Sequence, residues 1–298
     1  MVKLRNIFFS TVALALPLLL SGCNAVVLNP KGVVAVDEKH LLITALLLML
    51  TIVLPVIILT AVISRRYRAS NKEAKYSPDW SHSYVLEAIW WGVPIIIISI
   101  LATITWISTH HLDPHRPLVS DKKPLVIQVV ALQWRWLFIY PEQNIATMNY
   151  VEFPTNVPVT FLITADAPMN SFQIPQLGGQ IYAMAGMQTQ LHLMANEPGI
   201  YEGRSVNFSG DGFTGMAFTA TATPSEDEFN QWVTTVKSSG TPLTFDAYKQ
   251  LAKPSEDVSV QNYSSAQNAL FDNIIMKFMM PNTPLQDSPA NLAPASSN

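Results

Sequence analysis

Two long stretches without a single charged side chain decide most of what this chain can fold into. One runs from Leu41 to Ile63 and the other from Ala88 to Thr109. A helix needs about 20 apolar residues to cross a hydrocarbon core, and backbone in that core must satisfy its own hydrogen bonds. Both stretches are therefore expected to be transmembrane helices, 41–63 and 88–109, with Pro55 and Pro94 as tolerable kinks. Trp90, Trp91 and Trp106 lie near the ends of the second, where indoles favour the membrane interface. Charged residues make up 13% of the chain, well under the roughly 25% of soluble domains, as expected if part of it sits in lipid.

Between the spans, Arg65, Arg66, Arg68, Lys72 and Lys75 outnumber Glu73 and Asp79, which places the 64–87 loop in the cytoplasm. Both flanks then lie outside. The N-terminus agrees independently: Lys3 and Arg5 precede an apolar run from Ile7 to Leu20, broken only by Ser10, Thr11 and Pro17. That run ends at Leu20-Ser21-Gly22-Cys23, the pattern of a lipoprotein signal peptide over 1–22. Cys23 is the expected lipidation site and new N-terminus, so 23–40 is an outer, lipid-anchored segment. Because Cys23 is the only cysteine, an exported body of this chain has no internal disulfide and no multi-thiolate metal site. Losing Lys3 and Arg5 leaves 16 basic residues against 21 acidic ones, a net charge of −5, and nucleic acid is not an expected partner.

The span interiors hold no histidine; His40 precedes the first, and His110, His111 and His115 follow the second. A membrane haem needs an axial ligand at depth, so no haem is expected in this chain. After a 110–123 linker the pattern changes to short β-rich runs separated by Pro, Gly and Asn, the signature of an antiparallel sandwich or barrel. Strands are expected near 125–131, 134–140, 147–153, 159–164, 180–184, 189–194, 200–206 and 216–221, within an all-β domain over 124–223. Ser225 and Glu228 form a capping box ahead of Phe229, Trp232, Val233 and Val236 at helical spacing. A second helix is expected at Leu270–Phe278, giving a helical arm over 224–280. The Pro-, Ser- and Asn-rich tail, 281–298, is expected to be disordered.

Two spans before an all-β outer domain, with Gln133-Trp134-Arg135-Trp136 opening its second strand, resemble subunit II of the haem-copper oxidases. The resemblance covers nearly the whole mature chain and implies a cupredoxin-like Greek-key sandwich. In the cytochrome c-oxidising branch that sandwich holds a dinuclear copper centre. Here the matching positions carry Asn170 for the first His, Ser205 and Ser209 for the two Cys, Asn207 for a Glu, and Phe213 for the second His. Only Met216 survives. A thiolate-bridged copper pair cannot form from an amide, hydroxyls, a phenyl ring and one thioether, so no metal is expected.

The run from Met169 through Leu177-Gly178-Gly179-Gln180-Ile181-Tyr182-Ala183-Met184-Ala185-Gly186-Met187 is similar to the copper-free, cytochrome bo-type ubiquinol oxidase branch. That resemblance implies oxidation of ubiquinol, reduction of oxygen to water and proton pumping. Haems and a single copper would sit in subunit I, with subunits III and IV as further partners and no cytochrome c. This chain would then be a structural subunit of the bacterial inner membrane, with its C-terminal domain in the periplasm and no catalytic residue of its own.

Glu87 matches the family's proposed proton-uptake entrance, although a carboxylate at a helix N-terminus also suits the dipole. Trp134 and Trp136 match an aromatic pair that, without copper, would pack against subunit I or fill the sandwich. Met184, Met187, Met194 and Met216 are expected to be core filler rather than a copper(I) cluster. His110, His111, Asp113 and His115 read as a solvated linker rather than a metal site, and Arg116, Lys122 and Lys123 as headgroup contacts. Two rival functions are a free-standing lipoprotein that captures an exported ligand and a cytochrome c oxidase subunit; the missing thiols weigh against the second.

Overall fold

The computed structural model describes residues 25–75, 77–256 and 258–279. The expected signal peptide, the Cys23 lipidation site and the tail at 281–298 lie outside the described residues. The chain divides into a helical unit, Asp37–Asp113, and an outer unit formed by what precedes and follows it.

In the helical unit, α1 (Val33–Arg66) and α2 (Tyr84–His111) are each long and apolar enough to cross a membrane. Both extend past the expected spans, because charge bounds a span but not a helix. Their hydroxyls are satisfied internally: those of Thr51, Thr60, Ser99, Thr103 and Thr109 donate to carbonyls one turn back. Polar atoms can therefore enter lipid without an orphan donor. Ser83 caps α2, its Oγ accepting from Leu86 N at 3.5 Å.

The outer unit is a two-sheet sandwich. One sheet runs β12 (Gln261–Tyr263), β3 (Ile145–Met148), β2 (Arg135–Tyr140), β1 (Leu125–Leu132), β5 (Val159–Ala165), β8 (Thr189–Leu193). The other runs β4 (Tyr150–Pro154), β10 (Ala217–Thr223), β9 (Gly199–Ser205), β6 (Asn170–Gln173), β7 (Gln180–Ala183). Most neighbours are antiparallel, but β1 pairs β5 and β4 pairs β10 in parallel. Between the sheets lies an aromatic core in which Trp136 packs on Phe172 and Phe218, and those two rings stack at 5.1 Å.

The first sheet is buried on its outer face as well. There Val130, Leu132, Leu137 and Met148 meet Tyr248 of α4 (Phe245–Leu251) and Leu270, Phe271 and Ile274 of α5 (Leu270–Met279). Double burial explains why all of β2 is buried, with no alternation for a sequence pattern to show. The capping box holds: Ser225 Oγ accepts from Glu228 N at 3.2 Å and starts α3 (Glu226–Lys237). Phe229, Val233 and Val236 of that helix join the main core, so the arm is packed onto the sandwich rather than appended to it.

The structure departs from the sequence reading at several elements. The single strand expected at 147–153 is two strands in different sheets, broken at Asn149, whose φ of 55° lies in the left-handed region. Asn149 is fixed there by Trp136 N donating to its Oδ1 and by its own Nδ2 donating to Val258 O. Strand β6 was not expected, and neither were α4 and the short pairing of β11 (Pro242–Leu243) with β13 (Ser265–Ala266). The segment before the first span is hydrogen-bonded to the loops of the sandwich. Lys31 N and Gly32 N donate to Gln176 O, Asn196 N donates to Lys31 O, and Ala35 N in the first turn of α1 donates to Leu177 O.

Candidate functional site

Adjacent strands bring together, at one end of the sandwich, residues that the resemblance sets against copper ligands. β6 pairs with β9 through Phe172 and Ser205, which sets Asn170 beside Ser205. Both are buried, and Ser205 Oγ donates to Asn170 Oδ1 at 3.0 Å. Asn170 Nδ2 donates to Pro168 O, and Asn207 Nδ2 donates to Met169 O at 2.9 Å. Polar groups that would face a metal in a ligand set are thus spent on one another. Neither a hydroxyl nor an amide supplies the soft thiolate that a copper pair needs, so these residues do not fit that group.

The remaining positions close the end with carbon. Met216 is buried. Phe213 sits on the 3-10 turn Asp211–Gly215, edge-on to the exposed Phe208 at 5.6 Å. Ser209 Oγ is buried without a partner among the described residues, while Ser209 O accepts from Trp134 Nε1 at 3.1 Å.

Trp134 is held over this loop at a conformational cost. It occupies the two-residue turn between β1 and β2 at φ 66°, a region that costs a non-glycine residue about 1–2 kcal/mol. Its indole lies so close on Gly212 that an added Cβ would stand 2.5 Å from Cδ2, so only glycine fits beneath it. Trp136, by contrast, has no exposed surface and belongs to the inter-sheet core. Trp136 therefore fills the sandwich, while Trp134 is half-buried and packs against the edge of the same core.

The model of the cytochrome c oxidase subunit II periplasmic domain matches residues 142–223, and that of the COX aromatic rich motif matches 237–282. The cytochrome bo(3) ubiquinol oxidase subunit 2 of Pseudomonas aeruginosa is 55% identical over 90% of this chain and 80% of its own length. That of Pseudomonas putida is 58% identical over 88% of this chain and 83% of its own. The chain belongs to the ubiquinol oxidase subunit 2 family. The ubiquinol oxidase subunit 2 of Acetobacter aceti, 50% identical over 88% of this chain and 85% of its own, falls in the same family.

Family membership makes the chain a subunit of an oxidoreductase complex. Its two apolar helices and periplasmic-type domain make it a membrane protein with a periplasmic domain. Within that frame Glu87 stands in the first turn of α2, partly buried, with its backbone N–H donating to Ser83 O. The histidines in the last turn of α2 are engaged: the His110 ring lies tilted against Trp106 at 4.6 Å, and His111 Nε2 lies 3.7 Å from Asp37 Oδ2. Lys122 and Lys123 pair with Glu226 and Glu142.

Two buried polar clusters were missed from sequence. Tyr140 Oη accepts from Glu152 N and donates to Glu152 O, and Tyr150 Oη donates to the Glu152 carboxylate at 2.5 Å. Burial pushes the Glu152 carboxyl above its ordinary range and the Tyr150 phenol up to about 12. The other cluster joins Asp166, just past β5, to Tyr248 and Lys277 of the arm. Tyr150 and Glu152 share a face of one strand, but nothing in the linear spacing brings Tyr140 to them or Asp166 to Tyr248 and Lys277.

Proposed function

We propose that this chain is the structural, copper-free subunit II of a proton-pumping ubiquinol oxidase of the bacterial inner membrane. The complex oxidises ubiquinol and reduces oxygen to water at haems and one copper held by subunit I, with subunits III and IV completing it. Lipid on Cys23 anchors the N-terminus at the outer leaflet. The sandwich stands in the periplasm, and Glu87, at the cytoplasmic start of α2, serves proton uptake into subunit I. Trp134 and the loop beneath it face another subunit. No residue of this chain carries electrons.

The observation behind this reading is the hydrogen bond between Ser205 and Asn170, at positions where electron-carrying relatives need metal ligands. An end closed by its own hydrogen bonds and by Met216, Phe213 and Trp134 offers an electron no resting place. Its remaining use in a complex is as shape. Donor specificity of the purified complex tests this. Rapid turnover with ubiquinol, no near-infrared copper band and loss of assembly on deleting the chain are expected. Turnover with reduced cytochrome c as the only donor would overturn it.

A further inference from the structure

The arm meets the sandwich mainly through apolar side chains, but it also delivers two polar groups to one buried carboxylate. The Asp166 side chain is only 4% exposed. Lys277 Nζ of α5 donates to its Oδ1 at 2.6 Å and its Oδ2 at 2.9 Å, and Tyr248 Oη of α4 donates to Oδ2 at 2.6 Å. Tyr248 is itself buried, and its phenol is held far above its ordinary range by burial and by the neighbouring carboxylate. A buried carboxylate stays in place only while its charge is met. Asp166 therefore depends on residues more than eighty positions away.

Asp166 also occupies a particular point of the chain. It is the first residue after β5, with its N–H donating to Ala131 O, and it opens the short connection that ends at Asn170. The arm touches the neighbouring loop too: Phe278 Cβ lies 3.1 Å from where a Cβ on Gly186 would stand. That loop is tied to the same place, because Met184 O accepts from Ala165 N and from Thr164 Oγ1.

We propose that the C-terminal aromatic-rich arm is a brace for the loop carrying Asn170, acting through Lys277 and Tyr248 on Asp166. The loop is gripped from inside by Ser205 and Asn207 and from outside by the arm. Together these fix the end of the sandwich without a metal. Asp166, Tyr248 and Lys277 are positioning residues, and the arm is more than a lid over the first sheet.

Amide hydrogen exchange on the intact, purified complex tests the brace, with Lys277→Met, Lys277→Arg and Tyr248→Phe in the full chain. Unpairing the buried carboxylate in Lys277→Met should speed exchange in the 166–175 peptide by about tenfold or more. Peptides from β1 and β2 should stay at wild-type rates, and Lys277→Arg should restore slow exchange. Tyr248→Phe, which keeps the ring and removes one donor, should give a smaller change of about threefold at the same peptide. If the arm peptide 270–279 opens in Lys277→Met while 166–175 does not, the sandwich holds the arm rather than the reverse, and the proposal fails. Equal acceleration across all strands, or no recovery with arginine, also overturns it. Because the readout is exchange rather than turnover, it stands apart from the quinol-oxidase assignment.

Discussion

The helical pair and the outer sandwich solve the same problem, the satisfaction of backbone and polar groups away from water, by opposite means. In α1 and α2 each hydroxyl named above finds its acceptor within four residues, and the apolar side chains point outward: Ile96 is 61% exposed. In the sandwich the partners are distant. Lys31 reaches Gln176, Arg135 reaches Lys253 O, and Asp166 reaches Lys277. A local solution is robust and readable, whereas a distributed one is specific and fragile. The two regions should therefore respond differently to the same kind of change.

The largest contrast is expected from truncation. Trp136 is fully buried among Phe172 and Phe218, and Trp136→Ala should cost about 3–5 kcal/mol. Ile96→Ala on the outward face of α2 removes surface that only lipid or a partner subunit covers, so the fold of the helix itself should not change. Thermal unfolding of the full chain in detergent, followed by protease resistance of the outer domain, separates the two. A Trp136→Ala chain as resistant as wild type would break the comparison.

A smaller effect sharpens it at the turn that carries Trp134. Trp134 combines packing on Gly212 with a left-handed backbone, so any truncation loses the indole but only glycine also relieves the strain. Trp134→Gly should therefore be more stable than Trp134→Ala by about 1 kcal/mol. The reverse order in chemical denaturation would mean that the turn is not strained.

How much of this was legible follows the same division. The spans showed themselves because exclusion of charge is a property of consecutive residues. The Ser225 cap and the helix after it were legible for the same reason. The amide and hydroxyls of Asn170, Ser205 and Ser209 were visible as residue types, but not that two of them would bond to each other. Strand β6 was missed because Asn170-Ser171-Phe172-Gln173 carries a weak strand pattern and is held by β7 and β9. The break at Asn149 hid behind residues of good β propensity on both sides, since a side chain held by Trp136 N and Val258 O, both distant in sequence, leaves no periodic trace. The arm's α4 was lost because seven residues are too few for periodicity to register.

The smallest effect concerns Glu152, where both solutions meet in one side chain. Its own strand neighbour Tyr150 donates to it, yet burial dominates and raises its pKa from the ordinary 4.5, with Glu228 adding to the rise. A carboxyl whose pKa rises on folding binds its proton more tightly in the native state. The stability it contributes is then fully present below the unfolded value and is lost as pH climbs through the folded one. Glu152→Gln keeps an acceptor for Tyr150 and removes the titration. Wild type should accordingly lose stability relative to this variant as pH rises from about 4.5, and the two curves should run parallel once the native carboxyl is ionised. A wild-type chain that instead gains on the variant over that range would show the Tyr150 hydrogen bond outweighing burial. The local partner would then win inside the distributed region.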